Sequence, residues 1–373
     1  MVGDGQLVDT AEDGNVEWGN PMSTPSSRPS SASWIPSVRW CGFNLLGMFV
    51  WRPREQPAPP PEFDRCPGFY QERDFRWLHE WGFNFVRLPL DYRWWACRDD
   101  WTRIDDAALE PLDRALELGE RYGIHVQINF HRIPGYCINA PKEPVDLFRD
   151  EGALRTASLH WAHFARRFRG IPNERLSFDL VNEPHGHTQA EYDAVHLALI
   201  EAIRAEDPDR FIVANGGNCG RTPHPALYGL RNVGQAMRGY DPQPGLSHWR
   251  AEWAPADWDH MPPPAWPPDP ADPGSGTRWL CENVFDIWEE PRRHGVFRMA
   301  NEFGCHNRTP HAVVLAWMED MLRIWKERGI GWALWNLNGK FGVLDSGRDD
   351  VGYEDFCGHK LDRKMLELLL KYK

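Results

Sequence analysis

Four places in the 373-residue chain put a polar side chain at the end of an apolar run. Arg87 stands in Val86-Arg87-Leu88-Pro89, and His131 in Asn129-Phe130-His131-Arg132. Asn182-Glu183-Pro184 follows Phe178-Asp179-Leu180-Val181, and Glu302 lies in Met299-Ala300-Asn301-Glu302-Phe303-Gly304. A carboxyl just past a buried segment is costly to desolvate unless it is paired or a reaction requires it. Two of them suggest a working pair, which glycoside hydrolysis needs: one carboxyl protonates the leaving oxygen, the other attacks the anomeric carbon or activates water there. The structural reading is that Glu183 and Glu302 are ion-pair partners of Arg87 and Arg238, since structural networks also perturb carboxylates.

Such groups meet only if the fold gathers the ends of distant segments. Short apolar runs alternate with amphipathic stretches from Arg39 onward, giving eight rounds of strand and helix. The strands are expected at 39–45, 83–88, 125–129, 176–181, 211–214, 234–237, 296–300 and 331–334. Helical spacing is clearest at 104–122, 152–169, 189–206, 312–328 and 361–370. Eight parallel strands with crossover helices close most simply into a single (β/α)8 barrel, and the run Gly42-Phe43-Asn44-Leu45-Leu46-Gly47 lacks the dinucleotide-binding spacing of an open sheet. Glu183 then follows the fourth strand and Glu302 the seventh, facing each other across the barrel mouth. Two proline-rich joins, 52–67 and 254–273, fall after the first and sixth strands, on the face where barrels carry their chemistry.

Composition narrows the partners. A formal charge of −12 gives no general attraction for phosphate backbones or anionic lipid, so neither nucleic acid nor a membrane surface is expected. No apolar run reaches the roughly 18 residues of a membrane span, and the protein reads as soluble. Residues 1–33 read as a disordered lead-in without a secretory pattern, ahead of a catalytic domain at 34–373. A cytoplasmic location is the default, with secretion open if a leader has been removed. The eight cysteines (41, 66, 97, 137, 219, 281, 305 and 357) show no CxxC pairs and read mostly as buried thiols. His185 and His187 have a metal-like spacing without a third ligand and read as a surface loop.

Taken in order, Trp81-Gly82-Phe83-Asn84-Phe85-Val86-Arg87-Leu88, the His131 strand end, Asn182-Glu183-Pro184, Glu302-Phe303-Gly304 and Trp332-Ala333-Leu334-Trp335 resemble glycoside hydrolase family 5. The resemblance runs from about Arg39 to Lys373. It implies a retaining β-glycosidase with Glu183 as general acid/base and Glu302 as nucleophile. It further implies Asn182 on the sugar 2-hydroxyl, Arg87 and Tyr240 beside Glu302, His131 at the reacting subsite and Trp335 under the pyranose face. No metal and no organic cofactor are implied; the partner is an oligo- or polysaccharide, and the chain is expected to act as a monomer.

One position departs from the family pattern. Members commonly carry His-x-Tyr after the sixth strand, where this chain reads Arg238-Gly239-Tyr240. Arg238 could contact an anionic or hydroxyl-rich substrate or pair with a carboxylate in the cleft, and His248 could reach back to fill the gap. The 20 tryptophans divide in the same way. Trp77, Trp161, Trp288, Trp317 and Trp325 read as packing, whereas Trp94, Trp95, Trp249, Trp253, Trp258 and Trp266, in loops, are equally suited to stacking on sugar. The default expectation is endo-β-1,4-glucanase-like hydrolysis. The alternatives are an exo-acting glycosidase on β-mannoside, galactofuranoside or arabinofuranoside linkages, a non-catalytic carbohydrate-binding barrel, and an aldolase or isomerase on the same barrel, for which no Schiff-base lysine or metal cluster is evident.

Overall fold

The structure, a computed structural model, describes residues 33–50, 69–242, 245–254, 260–268 and 276–373. The expected lead-in (Ser33 apart), the join at 52–67, Cys66, Trp258 and parts of 254–273 lie outside the described residues. Eight parallel strands close into a barrel in chain order. They are β1 (Cys41–Asn44), β2 (Phe85–Asp91), β3 (His125–Arg132), β4 (Leu176–Asp179), β5 (Ile212–Asn215), β6 (Val233–Gly239), β7 (Arg298–Phe303) and β8 (Gly331–Leu334). β1 pairs with both β2 and β8, which completes the closure. Every strand residue is buried, because helices cover the outside and side chains fill the inside.

β2 and β3 run three residues beyond their expected ends, since their ladder continues to Asp91 opposite Arg132. β7 starts two residues late and runs on to Phe303, which places Glu302 within the strand.

The main helices are α1 (Glu72–Trp81), α2 (Glu110–Tyr122), α3 (Glu151–Arg167), α4 (Gln189–Glu206), α5 (His311–Glu327) and α6 (Arg363–Tyr372). Side chains cap the orphan amides at several N-termini: Asp150 accepts from Ala153, Thr188 and Glu191 form a capping box, and Asp362 accepts from Met365. Gly82 and Gly123, at φ 76° and 66°, end α1 and α2 in the left-handed conformation that glycine adopts without steric penalty.

Three expectations need correction. The fifth round has no full helix: β5 and β6 are joined by the short turns Gly217–Gly220 and Pro225–Leu227, and Asn218 and Cys219 sit at φ 53° and 57°, through which a right-handed helix cannot propagate. The stretch 104–122 opens with Ile104 in a hairpin (Ala96–Cys97 with Asp100–Ile104) and becomes α-helical at Glu110. Leu361 belongs to a second hairpin, Glu354–Phe356 with His359–Leu361, so the last helix starts at Arg363. The cysteines differ too: among the described residues Cys41 and Cys305 are buried, Cys97, Cys137, Cys219 and Cys281 are half-buried, Cys357 is exposed, and none is disulfide-bonded.

The five helical tryptophans are buried, as packing requires. Of the loop tryptophans, Trp95, Trp249 and Trp266 are buried as well, whereas Trp253 is 52% exposed. The N-terminal end of the barrel is plugged by aromatic side chains. Trp40 stacks on His125 (centroids 3.9 Å) and Phe85 (5.2 Å) and meets Phe211 and Phe297 edge-on. Val213, Ala236, Met299 and Ala333 complete this lower cluster.

Several histidines are held neutral within this packing. Burial pushes His125 and His196 down to about 3, and His160 to about 4. His160 accepts from Trp95 Nε1 (3.1 Å) and faces the Trp101 carbonyl with its other nitrogen (2.6 Å), an arrangement that fits one neutral tautomer. The unfolded chain protonates near 6.5 and the folded chain does not. The stability these groups contribute is therefore complete above that value and is lost as pH falls toward 3 to 4. We expect the unfolding free energy to drop between about pH 6 and pH 4.5 by about 1.4 kcal/mol per pH unit for each such histidine. Urea titrations across that range check it, and a flat profile would contradict the assignment.

Candidate active site

Arg87 is the hub of the layer above the plug. Its side chain rises from the middle of β2, is fully buried, and spends its nitrogens on four partners. Nε donates to Asp179 Oδ2 (2.8 Å), Nη1 to Glu302 Oε2 (2.9 Å) and Asn44 Oδ1 (3.0 Å), and Nη2 to Asn182 Oδ1 (2.7 Å). Arg238, from β6, lies alongside. Its Nε donates to Glu183 Oε1 (2.9 Å), Nη1 to Asn301 Oδ1, and Nη2 to Asn182 Oδ1 (2.5 Å), with Glu302 Oε2 3.5 Å from Nη2. A buried charge persists only when paired and hydrogen-bonded, and these two guanidiniums meet that condition with three carboxyls and three amides.

Glu302 sits on β7 with both oxygens engaged: Tyr240 donates its hydroxyl to Oε1 (2.8 Å), opposite the Arg87 bond to Oε2. Burial, and then the Glu302 charge, raise the Tyr240 hydroxyl well above its ordinary range, so it acts as a donor. Glu183 lies in the loop after β4 at φ 45°, a region non-glycine residues rarely occupy. Tyr136 donates to its carbonyl (2.6 Å), and its own amide donates to Asn215 Oδ1 (3.3 Å), which holds that unusual backbone in place. Its side chain is 16% exposed. Burial raises the Glu183 pKa, the neighbouring Glu302 charge raises it further, and Arg238 opposes both; the net shift is upward.

Asn182 Oδ1 accepts from both arginines, which fixes the amide orientation and leaves Nδ2 buried without a protein partner. That is an unspent donor beside two carboxyls. His131 lies near-parallel to Trp335 (5.8 Å, 27°), and Phe49 meets both rings edge-on. Burial, then the charges of Arg87, Arg238 and Arg132, push the His131 pKa well below its ordinary value, so the imidazole is neutral. Trp335 is half-buried at the end of β8.

His248 does not take the place of a side chain at position 238. Its ring packs on Tyr240 (4.8 Å), with burial pushing it down to about 4, and Arg238 itself makes the carboxylate contacts. His187 pairs with Asp146 (3.0 Å) and His185 with Asn218 (3.2 Å), so the two imidazoles have separate partners. Among the described residues no group of three or more His, Cys, Asp or Glu side chains is arranged to hold a metal.

Sequence reasoning passed over Asp179, Asn301, Asn44 and Asn215. Asp179 is fully buried and accepts from Arg87, Asn301 Nδ2 (2.9 Å) and Asn215 Nδ2. Burial raises its pKa and the two arginines oppose the rise. An aspartate inside the apolar run Phe178-Asp179-Leu180-Val181 was the available signal, because such a residue must meet a cation or a set of donors.

The model of the family Cellulase (glycosyl hydrolase family 5) matches residues 69–341. Endoglucanase C of Acetivibrio thermocellus is 29% identical over 177 residues, 48% of this chain and 49% of that protein. Endoglucanase 3 of Fibrobacter succinogenes is 24% identical over 335 residues, 77% of this chain and 49% of that protein. The chain thus spans about half the length of these curated relatives. A solved glycoside hydrolase superposes with a TM-score of 0.82 at 35% identity, covering 90% of this chain and 100% of its own. Thermotoga maritima Cel5A, solved with cellobiose, shares the fold at a TM-score of 0.70 and 20% identity, covering 89% of this chain and 96% of its own. The family match covers well over half of the sequence and runs through Arg87, Asn182, Glu183, Tyr240, Glu302 and Trp335, so the chain belongs to glycosyl hydrolase family 5.

Proposed function

We propose that the chain is a retaining glycoside hydrolase that cleaves β-linked glycans, with endo-β-1,4-glucanase-like action. The observation that carries this reading is the Arg238 guanidinium, which lies 2.9 Å from Glu183 and 3.5 Å from Glu302 and so gathers both carboxyls at one opening. The curated endoglucanases among its relatives support the choice of substrate class.

The roles follow from the surroundings of each group. Glu302 accepts from Arg87 and Tyr240, bonds that favour a carboxylate, and it is the nucleophile on the anomeric carbon. Glu183 has its pKa raised by burial and by Glu302, and it is the acid that delivers a proton to the departing oxygen. Once the glycosyl ester exists, the Glu302 charge is gone. The Glu183 pKa then falls, and the residue takes a proton from the attacking water. Asn182 Nδ2 serves as donor to the hydroxyl beside the reacting carbon, Trp335 supports the pyranose ring, and neutral His131 lines the same wall. Arg87, His131, Asn182, Tyr240 and Trp335 thus serve binding and orientation around the two carboxyls.

Glu302→Gln is expected to lower kcat/KM by about 10⁴-fold or more on every substrate. Glu183→Gln is expected to cost about 10²- to 10⁴-fold on polysaccharide and much less in the first step on an aryl glycoside with an acidic leaving group, with azide restoring turnover. Equal losses on both substrate types would contradict the acid role. The product anomer, read by NMR in the first minutes, is expected to match the substrate; inversion of configuration would refute the double displacement.

The alkaline limb of kcat/KM reports Glu183, which must be protonated. Its raised pKa places the fall in activity above the ordinary carboxyl range, and activity is lost as pH rises through it. Carboxymethylcellulose viscosity is expected to drop early relative to reducing-end release; a proportional fall would mark exo action instead.

A further inference from the structure

The buried charges at the barrel mouth can be balanced in sign. Arg87 and Arg238 supply two cations, and Asp179, Glu183 and Glu302 are the facing acids. Asp179 is contacted by donors at both oxygens and, among the described residues, its carboxyl has no acceptor to donate to, the pattern of an ionised carboxylate. With Glu302 ionised and Glu183 protonated, the two cations meet two anions.

The proposed reaction moves one of those anions. Glu302 forms a bond to the anomeric carbon while the bond from that carbon to the leaving oxygen breaks, and the oxygen departs with the Glu183 proton. Glu302 is then a neutral ester and Glu183 a carboxylate. In the second step water attacks the same carbon, Glu183 takes a proton from it, and the ester bond breaks to return the electron pair to Glu302. The anion count is two before and after each step, but its location shifts from one glutamate to the other.

Arg87 touches Glu302, whereas Arg238 touches Glu183 through Nε and lies at ion-pair distance from Glu302 through Nη2. Its remaining bonds, to Asn182 and Asn301, anchor the guanidinium between the two. We propose that Arg238 is a positioning residue that supplies the counter-charge to whichever glutamate is the anion, so that the buried site stays balanced through both half-reactions. The proposal rests on the retaining reading above and deepens it.

The titratable groups around Glu183 and its partners come from β2 to β7 and the loops that follow them. Arg87 comes from β2, His131 from β3, Tyr136 from the turn after β3 and Asp179 from β4. Cys219 and Arg221 follow β5, with Arg221 paired to Asp241 (2.9 Å); Tyr240 and His248 follow β6, and Glu302 lies on β7. Of these, Arg87 is committed to Asp179 and Glu302, and His131 and His248 are neutral near pH 7. Removing the Arg238 charge therefore leaves the Glu183 carboxylate of the intermediate without its direct cation. Its ionisation in that state then needs a higher pH, by about one to three units for an adjacent charge.

The test compares Arg238→Gln and Arg238→Lys with the parent enzyme on an activated aryl β-glycoside. For Arg238→Gln we expect the first-turnover release of the aryl group to fall by less than about tenfold, while steady-state turnover falls much further and KM falls with it. Mass spectrometry should find the glycosyl-enzyme accumulating, and the acid limb of the second step should move to higher pH. Arg238→Lys, which keeps the charge, should leave that limb within about one unit of the parent. Equal losses in both steps with an unmoved pH profile would reduce Arg238 to a structural prop and overturn the proposal. So would a lysine variant that behaves like glutamine. If the glutamine variant does not fold, as judged by circular dichroism, the lysine profile decides between charge and shape. A parent enzyme that forms no glycosyl-enzyme on any β-glycoside refutes the functional reading itself, and this proposal with it.

Discussion

Two guanidiniums buried among carboxyls set the terms for the upper half of the barrel. An arginine with no exposed surface, such as Arg87, has to find acceptors for all its nitrogens, and they must come from several strands because one strand offers a single inward side chain per level. Asn44 on β1, Asp179 on β4, Asn182 after β4 and Glu302 on β7 answer that demand. The strand ends are thereby tied across the mouth as well as around the wall. Asn301 and Asn215 complete the lattice by fixing Asp179. Low dielectric strengthens every one of these contacts and makes any single loss expensive.

The lattice also holds the two glutamates differently. Glu302 is held by two donors from opposite sides, whereas Glu183 meets one cation and keeps a small exposed surface. The asymmetry is local in origin: Glu302 lies inside a strand and its direction is set by the sheet, while Glu183 lies one residue past Asn182 in a left-handed backbone conformation. A rigidly held carboxyl and a less constrained one result from where each residue falls relative to a strand end.

The barrel was legible in the sequence because parallel strands buried on both faces leave uninterrupted apolar runs, and all eight were placed within about three residues of their observed bounds. The fifth crossover was misread. Regular alternation suggested a helix, but the chain turns through Asn218 and Cys219 in a conformation that periodicity does not encode. At the site, Glu183, Glu302, Arg87 and Tyr240 were legible from their motifs, and the structure brings them together. Asp179 was hidden because an acid inside a strand looks like noise until its cation is known. The loop tryptophans were ambiguous for a related reason: Trp95 and Trp249 are buried and Trp253 is exposed, a difference set by neighbours far away in sequence.

The aromatic plug around Trp40 has a bearing on the opposite end of the barrel. The floor is closed by stacked rings, and the charged layer lies above it toward the barrel mouth. On the proposed function, a sugar chain resting in the mouth acts as the stopper of a flask. On that reading it excludes bulk water from the arginines and acids as the bond is strained, so that the ligand itself lowers the polarity of the medium in which it is broken.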